Sequence, residues 1–339
     1  MSSRRFRVMW SAVPVMTVLC VVPIHAAGQP VGGPPQPAAA ADWTPPFTPD
    51  GQPDIQGVWV NFDRTPLEVP NAEDAARLEA LEKWFPGLEV TPEGLRGITG
   101  PNPGGLARFL GEGDGEGHSS KRSALRRSMV IDPPTGRVPV RSEAEQQKNY
   151  NLRHLTDSYE FHTPWERCIT RGVPGGMMPA GYNNAYRILQ TPDHVVILYE
   201  MIHEPRIIRL DAGPQVEQSI RLWNGDSRGR WEDNTLVVEV SNYRAEQVGT
   251  IATGISTTAT LKGMPQSDEM RVVERFSLVG PDEIRYEVTV EDPDVYTAPW
   301  TVSMPLNRDR EYDMYEYACH EGNYGLPNSL SGSRAAEEP

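Results

Sequence analysis

The second half of the chain alternates between apolar and polar positions. Ile284, Tyr286, Val288 and Val290 fall on one face, and Arg285, Glu287, Thr289 and Glu291 on the other. That period of two marks a half-buried strand. Residues 270–278 alternate in the same way. Residues 228–232 and 235–240 flank Asp233-Asn234, two residues that tolerate positive φ, so a tight hairpin is predicted there. Residues 195–202 are apolar on both faces and predict a central strand. Further strands are predicted from residue 54 to 60, from 301 to 306 and from 314 to 319. Antiparallel strands joined in chain order by short turns form a meander, and a long meander loses its open edges by closing into a barrel.

The first half carries different periods. Residues 71–84 predict a helix, with Asn71 as N-cap, Asp74 in the capping-box position and Ala75, Leu78 and Leu81 along one face. Pro86 ends it. Ser142 is the expected cap of a second helix running to about Leu155. Between them lies a long glycine-rich loop from residue 94 to 117. Residues 128–131 and 137–140 flank Asp132-Pro133-Pro134-Thr135-Gly136, which predicts a hairpin. The fold expected is mainly β: an antiparallel meander closing into a β-barrel, with two N-terminal helices and long loops packed around its ends.

The N-terminus bears on the compartment. Arg4, Arg5 and Arg7 precede an apolar stretch to Ile24, and the small residues Ala26-Ala27-Gly28 follow. This order reads as a signal peptide over residues 1–28 rather than a retained anchor, since Pro14 and Pro23 interrupt a run already short for a bilayer. Residues 29–52, rich in Pro and Ala, read as a leader, and residues 53–339 as one barrel domain. The expected location is periplasmic or secreted, and no apolar run after residue 28 is long enough to span a membrane. The net charge of −14 becomes more negative once Arg4, Arg5 and Arg7 are removed, which disfavours nucleic acid as a partner. Removal of Cys20 leaves Cys168 and Cys319. In an oxidising compartment they are expected to form a disulfide, with two buried thiols as the alternative.

Two motifs carry a resemblance. Gly57-Val58-Trp59 is similar to the Gly-X-Trp opening of the lipocalins and their calycin relatives. The run from Gly225-Asp226-Ser227-Arg228 through Gly229-Arg230-Trp231-Glu232 to Thr235-Leu236-Val237-Val238 resembles a large family of secreted, mostly uncharacterised bacterial proteins. That likeness extends to residues 48–54 and 319–324. It implies a calycin-like barrel and export, and no activity.

Candidate chemistry gathers at the predicted strand ends. Histidine is the side chain best suited to acid/base work at neutral pH, which singles out His203 and His320, with Asp226 and Glu321 to orient them. Arg206 and Arg228 suit a carboxylate or an oxyanion, although Arg and Asp in a strand turn commonly pair with each other. Neither a His-X₃-His nor a compact ligand cluster occurs, so no metal is expected. Residues 172–184 form a Gly- and Met-rich loop carrying Tyr182 and Asn183 as substrate-binding candidates. The loop either lines a pocket or plugs one end of the barrel. His203, Arg206, Asp226, Arg228, His320 and Glu321 are expected to line one pocket beneath Tyr182 and Asn183. Two functions fit this pattern. One is an exported enzyme acting on a small organic molecule by acid/base chemistry, a lyase, hydrolase or isomerase without an organic cofactor. The other is a lipocalin-like protein that binds an apolar or aromatic small molecule.

Overall fold

The computed structural model describes residues 43–63, 65–69, 89–91, 94–96, 126–180, 182–210, 213–251 and 261–337. The predicted signal peptide, the first predicted helix and most of the predicted glycine-rich loop lie outside the described residues. Nine strands close a barrel: β1 (Gly57–Val60), β5 (Ala185–Gln190), β6 (His194–Tyr199), β7 (Pro205–Arg209), β8 (Asp226–Glu232), β9 (Thr235–Ser241), β10 (Arg271–Gly280), β11 (Glu283–Glu291) and β12 (Trp300–Arg308). Between β1 and β5, the short strands β2 (Glu89–Thr91) and β3 (Gly94–Arg96) pair as a separate two-stranded sheet, and β4 (Val130–Asp132) adds to the outer end of β12.

Closure depends on the length of β12. It pairs with β11 over most of its length, with β1 through Asn307 and Arg308, and with β4 through Thr301 and Val302. The barrel is mixed rather than purely antiparallel, because β7 and β8 run parallel at Arg209 and Arg228. Residues 210–225 separate these two strands along the chain, too long a connection for a hairpin, and the chain re-enters in the same direction. Gly229 permits the contact, since a Cβ there would lie 2.8 Å from Ile208 and 2.9 Å from Leu210.

Each alternating strand points its apolar residues inward. Ile284, Tyr286, Val288 and Val290 of β11 are all buried, and Phe276 of β10 faces Tyr286 with ring centroids 4.8 Å apart. The β8–β9 hairpin turns at Asp233, whose φ is 51°, as its residue type predicts. Gly57 of the Gly-X-Trp motif has a clear role. Its φ is 124°, and a Cβ would sit 2.7 Å from the guanidinium of Arg308, which lies 4.1 Å over the Trp59 ring. Only glycine leaves room for that stack.

Three local predictions are corrected. Residues 137–140 do not return against residues 128–131. β4 pairs with β12 instead, and Val138 N donates to Glu68 Oε1. Prolines 133, 134 and 139 each lack the N–H that a ladder needs. Ser142 is the first residue of helix α1 (Ser142–Arg153) rather than its cap, which is Arg141. Residues 314–319 are not a strand, and the chain ends instead in an unpredicted helix α2 (Gly325–Glu337). The predicted bridge between Cys168 and Cys319 is formed, with Cα atoms 5.6 Å apart. Among the described residues, no helix is long and apolar enough to cross a membrane.

Candidate functional site

The alternation of β7, β8 and β10 places a charged pair inside the barrel. Arg206 lies in register with Ile208, and Glu274 with Val272 and Phe276, so both point inward and both are buried. They form a bidentate pair, with Arg206 Nη1 donating to Glu274 Oε1 at 2.9 Å and Nη2 to Oε2. Arg206 Nε donates to Ser227 Oγ at 3.1 Å, and the Tyr286 hydroxyl donates to Glu274 Oε1 at 2.8 Å. Burial works to lower the Arg206 pKa, but the Glu274 carboxylate and the Tyr199 phenol together hold it well above the ordinary arginine value.

Because Ser227 faces inward, its neighbours Asp226 and Arg228 face the other side of the wall. Arg228 Nε donates to Asp226 Oδ2 at 2.9 Å, and the same oxygen accepts from Val216 N at 3.0 Å. His203 ends a tight turn after β6 and is exposed. His320 and Glu321 are exposed beyond Cys319. The interior of the barrel thus holds Arg206 alone of the six residues expected to share a pocket.

The structure gathers a different set of groups at one end of the barrel. Thr163 and Glu166 cap the turn that leads there. Thr163 N donates to the Glu166 carboxylate at 2.9 Å, and Glu166 N returns to Thr163 Oγ1 at 3.0 Å. The disulfide then ties this turn to the C-terminal segment. Thr170 Oγ1 donates to Glu204 Oε2 and accepts from Gly172 N at 2.9 Å, which fixes the backbone on both sides of Arg171.

Arg171 is only 4 % exposed. Its guanidinium carbon lies 5.0 Å over the Trp165 ring, yet Nε and Nη2 are buried without a protein acceptor. Burial lowers its pKa, and the groups that act most strongly on its charge are the phenols of Tyr186, Tyr182, Tyr199 and Tyr317, with no carboxylate among them. Tyr186 donates to Met177 O at 3.1 Å. Burial pushes the Tyr199 pKa up to about 12, and the charges that act most on its hydroxyl are those of Arg206 and Glu274. Tyr182 and Tyr317 sit at the rim, their hydroxyls 3.3 Å apart and their rings 6.3 Å apart and nearly parallel.

Residues 172–180 and 182–184 plug this end. Met177 and Met178 are core residues. Gly176 lies flat on the Tyr199 ring, where a Cβ would be 3.1 Å away, and a Cβ on Gly175 would strike Thr250 O at 2.4 Å. Asn61 Nδ2 donates to Met177 O, and Asn184 folds back on Ala180 through both its amide atoms. Beside the plug, Glu200 is buried, accepting from Ala185 N at 3.1 Å and from the Tyr312 hydroxyl at 3.0 Å. Burial raises its pKa against these bonds and one from Asn183. Cys168, Asn183, Ile202 and His203, four of the non-glycine residues with positive φ, lie in the segments that meet here. For the β-branched Ile202, at φ 67°, that backbone is strained, and such strain collects at functional sites.

Of the candidates named from sequence, Tyr182 and Asn183 belong to this end. Arg171, Tyr199, Tyr317 and Glu200 were not among them. Arg171 does leave a trace in the sequence, as the single charge between Cys168 and Arg187. Among the described residues, no three His, Cys, Asp or Glu side chains are grouped to hold a metal ion. Comparison of the chain with family models, with curated proteins and with solved structures finds no match in any of the three.

Proposed function

We propose that this protein is an exported, calycin-like binding protein that takes a small aromatic or apolar molecule at the plugged end of its barrel, beneath Tyr182 and Tyr317. One observation carries the reading. Of seven buried side-chain polar atoms without a protein partner among the described residues, two are Nε and Nη2 of the one guanidinium of Arg171 at this end. Buried polar groups are bonded as a rule, so unmatched atoms clustered under an aromatic rim are what a ligand would satisfy. The disulfide and the basic-apolar-small order of residues 1–28 support export. The Gly57-Val58-Trp59 opening and the closed barrel support the calycin likeness. The acid/base enzyme alternative draws less support, because His203, His320 and Glu321 stand exposed rather than positioned against a partner.

Thermal melts of the mature protein against a panel of small aromatic and apolar compounds test the reading. A binder raises Tm in proportion to its occupancy, and Trp165→Ala is expected to abolish the shift. A panel that moves nothing, or a shift indifferent to Trp165, contradicts it.

A further inference from the structure

The two buried arginines of this barrel are in opposite electrostatic situations. Arg206 has a carboxylate across two hydrogen bonds, whereas Arg171 has an indole face and four phenols around it. A buried guanidinium costs desolvation that neither neutral oxygens nor a ring face fully returns. The surrounding chain is strongly acidic, with 46 Asp and Glu against 32 Lys and Arg, so a carboxylate partner was available by composition and is not placed here. Tyr186 and Tyr199 are buried, whereas Tyr182 and Tyr317 reach solvent.

We propose that Arg171 is the anion-recognition residue of this site and that its ligand is a small aromatic monocarboxylate. This rests on the binding reading above and names its ligand class. Three features select the class. The guanidinium fork carries two unmatched N–H groups, Nε and Nη2, whose spacing suits the two oxygens of a carboxylate. A single cation neutralises a single charge, and the acidic surface repels polyanions, which disfavours phosphate esters. The walls are aromatic: Trp165 stacks against Arg171, and the parallel rings of Tyr182 and Tyr317 offer flat faces at the entrance.

Calorimetric titration of the full mature chain with benzoate and phenylacetate, their neutral amides and inorganic phosphate tests this. The carboxylates are expected to bind at least tenfold more tightly than the matched amides and than phosphate. Arg171→Met should remove that preference while leaving the fold intact by circular dichroism, and Arg171→Lys should retain part of it. Equal binding of acid and amide, unaffected by Arg171→Met, overturns the anion site and leaves the aromatic pocket standing. Phosphate binding as tight as the carboxylates overturns the ligand class. No binding of acids or amides removes both this assignment and the reading on which it rests.

Discussion

Arg206 and Arg171 are equally buried, within one barrel, and differ in what faces them. Arg206 is answered by Glu274 of β10, Ser227 of β8 and, through Glu274, Tyr286 of β11. This is a closed network, and a closed network specifies packing. Arg171 is held from behind by the bonds of Thr170 and by the contact of Gly172 with Thr250, but its guanidinium is left without an acidic partner. Burial alone therefore does not make a charged side chain structural or functional. The identity of its counter-charge does, and where the protein supplies none, a ligand can.

The largest effect expected is from opening the closed network. Arg206→Met strands a buried carboxylate and should cost about 3–5 kcal/mol in urea unfolding, whereas Arg206→Met combined with Glu274→Leu should recover most of that loss. A double variant as unstable as the single would break the comparison. Next in size is the tether. Replacing both Cys168 and Cys319 by Ser frees a closed loop with a sequence separation of 151 and is expected to cost about 2–4 kcal/mol. It should also abolish ligand-induced stabilisation, because Tyr317 lies two residues from Cys319. Retention of ligand binding in that variant would place the site elsewhere.

A smaller effect concerns Glu200. Burial raises its folded pKa above the ordinary 4.5, so the folded protein binds this proton more tightly than the unfolded chain. Its stabilising contribution is full below that ordinary value and is lost as pH rises through the folded pKa. Glu200→Gln, which stays neutral, should therefore match the parent protein near pH 4 and exceed it near pH 8 in urea midpoint. A variant less stable than the parent at the higher pH would show that the bonds from Ala185 and Tyr312 outweigh burial.

The strands were legible because one periodicity decides them. Residues 284–291 read as a strand from alternation and 235–240 as a hairpin arm from the turn before it, and both are strands. The expectation of one pocket left strand parity unused: Arg206 and Glu274 share parity with buried apolar neighbours, whereas Asp226 and Arg228 face away from Ser227. The parallel β7–β8 contact was not legible, because it depends on a loop that returns the chain in the same direction, which no local pattern encodes. Helix α2 hid behind Ser329, Ser331, Gly332 and Ser333, whose propensities disfavour helix, although Pro327 sits in its first turn where proline is tolerated. Arg171 was overlooked for a different reason: its role rests on a missing partner, and sequence displays residues, not the gaps between them.

Urea unfolding of Arg171→Met in the absence of ligand tests most directly whether this arginine serves a ligand rather than the fold. Removing a buried charge with no acidic partner relieves its desolvation and gives up only the stack on Trp165. The variant is therefore expected to be as stable as the parent, or more stable by about 1 kcal/mol, in keeping with the cost that functional groups exact from stability. A loss of about 3 kcal/mol or more, like that expected for Arg206→Met, would make Arg171 a structural residue and contradict the account.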